Sequence, residues 1–293
     1  IKMNNKKYKI LDVSNWEIIR KGKGYSTSYW LVDPKTRKKA LFKRPKYNED
    51  YDCYYGDHWA EKIVSEIGKF LDFDMPEIDL AIFKQKQGCI SYNFLNRDES
   101  LREGIDLMSV DVTKDNRRNY ILDNILKDLK EYRLIDDFIN LLLFDAFIGQ
   151  PDRHEENWGI IISKEGNSDC RLSPIYDNAS SLGRNLLPNK ISKMFKDDNC
   201  FNSYIEGCQS CIKLEKDKEL SQLDMLYYLS NHYNELYLEF ASKLDDLDSN
   251  ILIRVINKVS NEFMEENHKK LVTKILLERR RRLISILNKE GGD

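Results

Sequence analysis

Asp152, Arg153, His154, Glu155, Glu156 and Asn157 occupy consecutive positions inside the stretch GQPDRHEENWG, residues 149–159. The oily run FINLLLFDAFI precedes them, and Ile160, Ile161 and Ile162 follow. Charge concentrated between two segments that want burial marks a loop carried out of a scaffold, where chemistry is often done. Asp152 and Asn157 have the Asp-x-x-x-x-Asn spacing of a phosphotransfer catalytic loop. A hydroxyl is a poor nucleophile until a group orients it and accepts its proton, and the Asp152 carboxylate can do both. Asn157 can offer an uncharged oxygen to a metal ion from the far end of the same turn. An Asp and an Asn at this distance recur by chance, so the pair needs company.

Asp177 supplies it, at the point where the apolar piece RLSPIYD runs out. Magnesium prefers carboxylate and phosphate oxygens and keeps several waters, so one Asp, one Asn and nucleotide phosphates suffice to hold it. Asn157 and Asp177 flank a two-strand unit, which is expected to bring them together across its open end. The complementary positive charge is Lys43 in ALFKRP. Strand alternation puts Lys43 on the face of Leu41, opposite Ala40 and Phe42, and a lysine so placed needs a partner. Asp57 and Glu61, one helical turn apart, can share a face; Glu61 is the preferred partner, with Asp57 close behind. Gly22 and Gly24 in KGKGYSTSY could let backbone N–H groups approach phosphates, or could make a simple turn. Thr27 breaks the full G-x-G-x-x-G pattern.

Elements must hold these groups in place. Residues 1–97 read as five strands, within YKILDV, STSYWLVD, KKALFKRP, IDLAIFKQ and GCISYNFL, rich in β-branched and aromatic residues and divided by turn-like pieces such as RKGKG and DPKTR. One helix, GDHWAEKIVSEIGKFLDF, interrupts them, with Trp59, Ile63, Ile67 and Phe70 as its buried stripe. After a connector near residues 93–100, residues 98–293 read as a mainly helical lobe. RNYILDNILKDLKEYRLIDDFINLLLFDAFIG is one helix or two, NWGIIIS and CRLSPIYD are strand-like, and the remainder is helical apart from a polar, irregular stretch over 183–220. The expected fold class is α+β: a β-rich small lobe carrying the lysine and a helical large lobe carrying the catalytic loop. Arg153 is expected to brace that loop through a carboxylate such as Asp145, which sits on an otherwise apolar helix end and needs partners. His154 packs or hydrogen-bonds within the loop, and Trp158 belongs to the core.

Composition narrows the remaining classes. The chain has 293 residues, 33% of them charged, with a formal net charge of −2. That balance gives no general field for nucleic acid or anionic membranes. No apolar run of about 18 residues is present to span a bilayer. The start, IKMNNKKYKI, lacks the apolar segment of a signal peptide, so a cytoplasmic location is expected, with export as an effector left open. The basic run Arg279–Arg282 reads as a solvated helix face rather than a partner-binding patch. Cys208-x-x-Cys211 has metal-ligand spacing, but a structural zinc needs four ligands and no second tight pair is visible. The six cysteines are taken as ordinary thiols.

FDAFIGQPDRHEENWGI followed by LSPIYDNASSLG resembles the HipA-like serine/threonine kinases, especially their short CtkA-type branch. LFKRPKYNEDYDCYYGDHWAEKIVSEIG is similar to that branch's lysine strand and following helix. The likeness runs from about residue 20 to residue 183 and is looser over the helical tail. It implies a two-lobed protein-kinase-like fold, ATP and Mg²⁺, and phosphoryl transfer to a Ser or Thr hydroxyl of a protein. By motif, Asp152 corresponds to the catalytic Asp, Asn157 and Asp177 to the metal ligands, and Lys43 to the nucleotide lysine. Backbone groups of Asn93, Phe94 and Leu95 would meet the adenine. Ser26, Thr27 and Ser28 would be sites of autophosphorylation, or merely cap the turn. A small antitoxin-type partner is also implied. Gln150 departs from the Asn usual at its position, and Ala179 from a Gly. The rival readings are a kinase-fold transferase acting on a lipid or small-molecule hydroxyl, and a catalytically silent nucleotide-binding regulator.

Overall fold

Alternation of apolar and polar side chains organises the first part of the chain. The computed structural model describes residues 6–22, 27–113, 116–163 and 166–290. The chain divides into two compact units, the first made of residues 1–94, 177–196 and 249–274, the second of 95–176, 197–248 and 275–293. The sequence division at 97 is a single cut, whereas both units are discontinuous, because distant segments pack onto each.

In the first unit, strands β1 (Ile10–Asp12), β2 (Glu17–Lys21), β3 (Ser28–Val32), β4 (Lys39–Lys43), β7 (Ile78–Phe83) and β8 (Lys86–Tyr92) form one sheet in the order β1-β7-β8-β4-β3-β2. Between β4 and the first helix lies a short hairpin of β5 (Tyr47–Asn48) and β6 (Cys53–Tyr54). Only the β1–β7 pairing in the six-stranded sheet is parallel. The sheet has six strands where the sequence suggests five. The extra one, EIIRK in β2, is exposed along its whole length at the sheet edge, so it carries no in–out alternation to reveal it. One face of the sheet buries Leu31, Ala40, Phe42, Ala81, Phe83 and Ile90 with Val13. In β4 the residues facing the other way, Leu41 and Lys43, are half-buried. Gly88 in β8 has a packing reason: a Cβ there would lie 2.4 Å from the Lys43 carbonyl oxygen and 2.6 Å from the Phe42 ring.

Helix α1 (Asp57–Phe70) packs on β7 and β8 and buries Trp59, Ile63 and Ile67 as its period predicts. Phe70, the expected fourth member of the stripe, is exposed instead. His58, Glu61, Lys62 and Ser65 are buried as well. Lys62 and Ser65 donate to the carbonyls of Ile78 and Pro76, and Glu61 accepts from Lys43. The later segments of this unit cover His58, since α1 also packs on the helix Ser249–Asn257, and the rings of His58 and Trp59 meet Phe263 and His268.

The second unit opens with β9 (Glu99–Glu103) and a single turn, α2 (Gly104–Leu107). The helical stretch that follows is two helices, α3 (Leu122–Leu129) and α4 (Ile135–Ile148), separated by a 3₁₀ turn that ends at Arg133 with a left-handed backbone, φ 57°. Strands β10 (Gly159–Ser163) and β11 (Gly166–Leu172) pair antiparallel, and β9 pairs with the other edge of β10. The expected irregular stretch 183–220 contains two helices, α5 (Pro188–Lys196) in the first unit and α6 (Asp198–Glu206) in the second. Both are polar, but Ile191 with Met194, and Phe201 with Ile205, give each a narrow buried stripe. The Asp197 side chain caps α6, accepting from the N–H groups of Asn199 and Cys200. Next in the chain come α7 (Gln222–His232) and α8 (Asn234–Asp246) in the second unit, α9 (Ser249–Asn257) in the first, and α10 (Glu266–Glu290), which belongs to the first unit up to residue 274 and to the second from 275. Helix α4 is buried almost all round, packed on α7 and α8, as its near-continuous apolar sequence requires. No helix among the described residues is long and apolar enough to cross a membrane.

Two outcomes follow. Gly88→Ala should destabilise the fold by about 1–3 kcal/mol, the cost of overpacking against a fixed backbone atom, read as a lower midpoint in urea. Phe201→Ala should cost about 3 kcal/mol or more in the same measurement, which a mobile, irregular 183–220 segment would not.

Candidate functional site

The groups that could do chemistry fall into two sets, one in each unit. In the first, Lys43 ends β4 on the Leu41 face. Its ammonium donates to Glu61 Oε1 at 2.7 Å and to Asp177 Oδ1 at 3.1 Å. Burial opposes the lysine's charge, but Asp177 and Glu61 more than offset it and hold its pKa above the ordinary value. Glu61 is buried; its second oxygen accepts from the backbone N–H of Asn178 at 3.2 Å. The partner of Lys43 is therefore Glu61. Asp57, the other contender, pairs with Arg184 at 2.9 Å. Burial raises the Asp57 carboxyl pKa, against the pull of Arg184. Gly56 N–H donates to the Arg184 carbonyl, so the chain just beyond Asp177 is fastened to both ends of the first turn of α1.

Asp177 has a left-handed backbone, φ 56°, uncommon for a residue with a Cβ though less so for Asp than for most. Its carboxylate stays 42% exposed while it contacts Lys43. A strained residue that remains open to solvent is an observation from which function may be inferred. Nothing in the pattern RLSPIYD announces that backbone.

The second set is the loop after α4. Gly149 caps the helix with φ 69°, and Pro151 and Asp152 follow. Asp152 N–H donates to Gln150 Oε1 at 3.3 Å, and Asn157 Nδ2 donates to the Asp152 carbonyl at 2.8 Å. The Asp-x-x-x-x-Asn spacing thus closes on itself as one turn. Arg153 points inward and is 2% exposed. It makes a two-pronged pair with Asp145, at 2.7 and 2.9 Å, and donates to the carbonyls of Asn157 and Tyr176 at 2.8 and 2.6 Å. This is the brace that the lone Asp145 on an apolar helix end foretold. Burial raises the Asp145 carboxyl pKa, with Arg153 pulling the other way.

The neighbouring charges are also committed to structure. Burial works against ionised Glu155, yet Arg117 at 2.8 Å and the residue's own backbone hold its pKa below the usual value. His154 Nδ1 accepts the Glu156 N–H at 3.2 Å. Trp158 is core, packed edge-on against Phe138, with its Nε1 donating to Tyr120 O–H, which in turn donates to the Arg153 carbonyl.

Lys43, Glu61 and Asp177 are therefore together in the first unit, and Asp152 and Asn157 in the second. In the stretch expected to form a glycine-rich loop, Gly24 and Ser26 lie outside the described residues. Gly22 N–H donates to the Ser28 carbonyl, and Arg44 N–H to that of Thr27. Thr27 is exposed, but Ser28 starts β3 with its side chain buried, 2% exposed, so its hydroxyl faces packing rather than solvent. At the end of β8, Asn93 N–H already donates to the Lys39 carbonyl, and Phe94 and Leu95 fall on either side of the division between units. The thiols of Cys208 and Cys211 are raised by burial, that of Cys211 to about 11.

Comparison with known proteins bears on the fold. No family model matches the chain. It is 23% identical over 244 residues to the serine/threonine-protein kinase CtkA of Helicobacter pylori, covering 80% of this chain and 73% of that protein. The crystal structure of the H. pylori proinflammatory kinase CtkA superposes with a TM-score of 0.83 at 20% identity, over 96% of this chain and 97% of that one. HipA from the Shewanella oneidensis MR-1 toxin–antitoxin system, solved with HipB and operator DNA, gives a TM-score of 0.57 at 13% identity, over 92% of this chain and 65% of that one. The mixed α+β architecture expected from the sequence is the one these structures share. The chain is a homologue of the serine/threonine-protein kinase CtkA, with a HipA-like kinase fold.

Proposed function

We propose that the chain transfers the γ-phosphate of ATP to a serine or threonine hydroxyl of a protein. The observation that carries this reading is Lys43, clamped by Glu61 at 2.7 Å with Asp177 at 3.1 Å. A part-buried ammonium held between carboxylates is costly as mere architecture, and its use is to meet phosphate oxygens. Kinship with a serine/threonine kinase supports the same conclusion. No observation favours a lipid or small-molecule acceptor, or a silent nucleotide-binding regulator.

Lys43 would hold the α- and β-phosphates, with Glu61 fixing the ammonium where nucleotide can reach it. Asp152 would orient the acceptor hydroxyl and take its proton late, the loop around it kept in shape by Arg153. Phosphoryl transfer of this kind is mainly positioning and charge stabilisation. The remaining donors suit Mg²⁺, since Asp177 offers an exposed carboxylate and Asn157, its Nδ2 spent on the Asp152 carbonyl, offers an amide oxygen. Asp177 and Asn157 would hold the ion, which when bound neutralises phosphate charge. Thr27 is the exposed acceptor among the described hydroxyls of the 26–28 stretch. A small antitoxin-type partner, as HipB is for HipA, belongs to the same proposal.

With γ-³²P-labelled ATP and casein as acceptor, Asp152→Ala should lower labelling on the order of 100-fold or more, and Lys43→Met by a similar factor. Asp152→Ala should melt near the unsubstituted chain, whereas Lys43→Met, which leaves the buried Glu61 carboxylate without its ammonium, should melt lower. Undiminished labelling by Asp152→Ala removes the role assigned to that residue. Nucleotide binding with no labelling from any form supports the silent regulator instead.

A further inference from the structure

The basic run Arg279–Arg282 is not the solvated face that its composition suggests. Arg280 donates to the Leu244 carbonyl and to Asp245, and Arg282 to Glu278, Glu206 and Asn202. Arg281 alone of the four keeps a mainly exposed side chain, paired with Glu278 on its own helix. Arg279 is 2% exposed, one of the largest fully buried side chains described. Its contacts all lie in the second unit. Nη1 donates to the Ala146 carbonyl at 2.8 Å and to Gln222 Oε1 at 3.1 Å. Its guanidinium lies against Gly149, where a Cβ would come within 2.9 Å of Cζ.

Ala146 is in the last turn of α4, whose carbonyls have no partners within the helix, and a cation there also suits the helix dipole. Gln222, 3% exposed at the start of α7, donates its Nε2 to the Gln150 carbonyl. Gln150, also buried, accepts the Asp152 N–H on its own side chain. Contacts therefore run in sequence from Arg279 to Gln222 to Gln150 to Asp152. They grip the chain on both sides of the Gly149 turn, from which the loop departs. Pro151, with its fixed φ, stiffens the one step in between.

Stability alone does not require this design. The Arg279 Nε is buried with no hydrogen-bond partner among the described residues, a cost that a packed apolar side chain would avoid. We propose that Arg279 and Gln222 are positioning residues for the reaction: they set where the Asp152 carboxylate stands, through Gln150, without touching substrate. The inference rests on the catalytic reading of Asp152. A displacement of about 1 Å at such a group can cost on the order of 100-fold in rate.

The test is a set of steady-state assays on the full chain with ATP and casein. The variants are Gln222→Leu, Arg279→Met and Arg279→Lys, each made alone and in an Asp152→Asn background, with melting temperatures to confirm folding. In the unsubstituted background Gln222→Leu and Arg279→Met should lower kcat about 10- to 100-fold, with KM for ATP within about twofold. Arg279→Lys, which keeps a cationic donor under the helix end, should lose less than Arg279→Met, and it also stands in should Arg279→Met fail to fold. In the Asp152→Asn background the same substitutions should change the residual rate by no more than about twofold, because residues acting through one group are not additive. A purely structural role predicts losses that multiply in both backgrounds. That result, or an unchanged kcat in folded Gln222→Leu, overturns the inference. If Asp152→Asn by itself leaves kcat intact, the catalytic reading fails first and the positioning role falls with it.

Discussion

One constraint governs the first unit: an ammonium withdrawn from water must be paired. Lys43 is placed by strand alternation on the face opposite Phe42, and that placement obliges the structure to supply carboxylates. Glu61 answers from α1 and Asp177 from a segment that is distant in sequence. Each answer fixes something else. To reach Lys43, Glu61 must sit on the sheet-facing side of α1, which sets the rotation of that helix. With its other oxygen it then accepts from Asn178 N–H, which ties the residue after Asp177 to the same helix. The Arg184–Asp57 pair and the Gly56–Arg184 backbone bond complete the fastening. The strained backbone of Asp177 persists because its neighbour on the chain is pinned and its own carboxylate is drawn to Lys43.

The second unit solves the converse problem, with a buried guanidinium at its centre. Arg153 belongs to the loop, not to the scaffold, yet it is almost wholly buried. Asp145 neutralises it, and its remaining donors hold the backbone at Asn157 and at Tyr176. The loop is thereby shaped from within. Its charged residues divide by direction: Arg153 and Glu155 turn inward to structural partners, while Asp152 and Glu156 remain less buried. Charge density in the sequence thus marks a junction where some charges build the turn and others are presented by it.

The sequence revealed what periodicity and charge neutrality govern, and concealed what depends on packing from far away. Lys43, the alternation of β4, the helical stripe of α1 and the Asp145–Arg153 brace were all legible, because each follows from a rule about neighbours or about burying charge. The choice between Asp57 and Glu61 was not, since both occupy one face of α1; it is decided by Arg184, more than a hundred residues away. Strand β2 was missed because an edge strand exposed on both sides has no alternating pattern to read. Helices α5 and α6 were missed because two apolar positions apiece suffice for elements packed on one narrow stripe. Phe70 was assigned to the core by spacing alone, although it is the last residue of its helix.

The basic run shows most clearly why composition misleads. Four arginines in a row spread over all sides of an α-helix, at about 100° per residue, so they cannot form one face. In α10 two of them cross to acidic partners on other elements, one pairs within its own helix, and one is driven into the interior. The arginine that points inward has to find carbonyls, and the nearest unpaired carbonyls inside a helical bundle are those at helix ends. The end it finds is that of α4, from which the Asp152 loop departs. A charge that looked like surface decoration becomes a support for that loop for a geometric reason: the polar atoms a buried cation needs are concentrated where helices stop, and loops start at the same places.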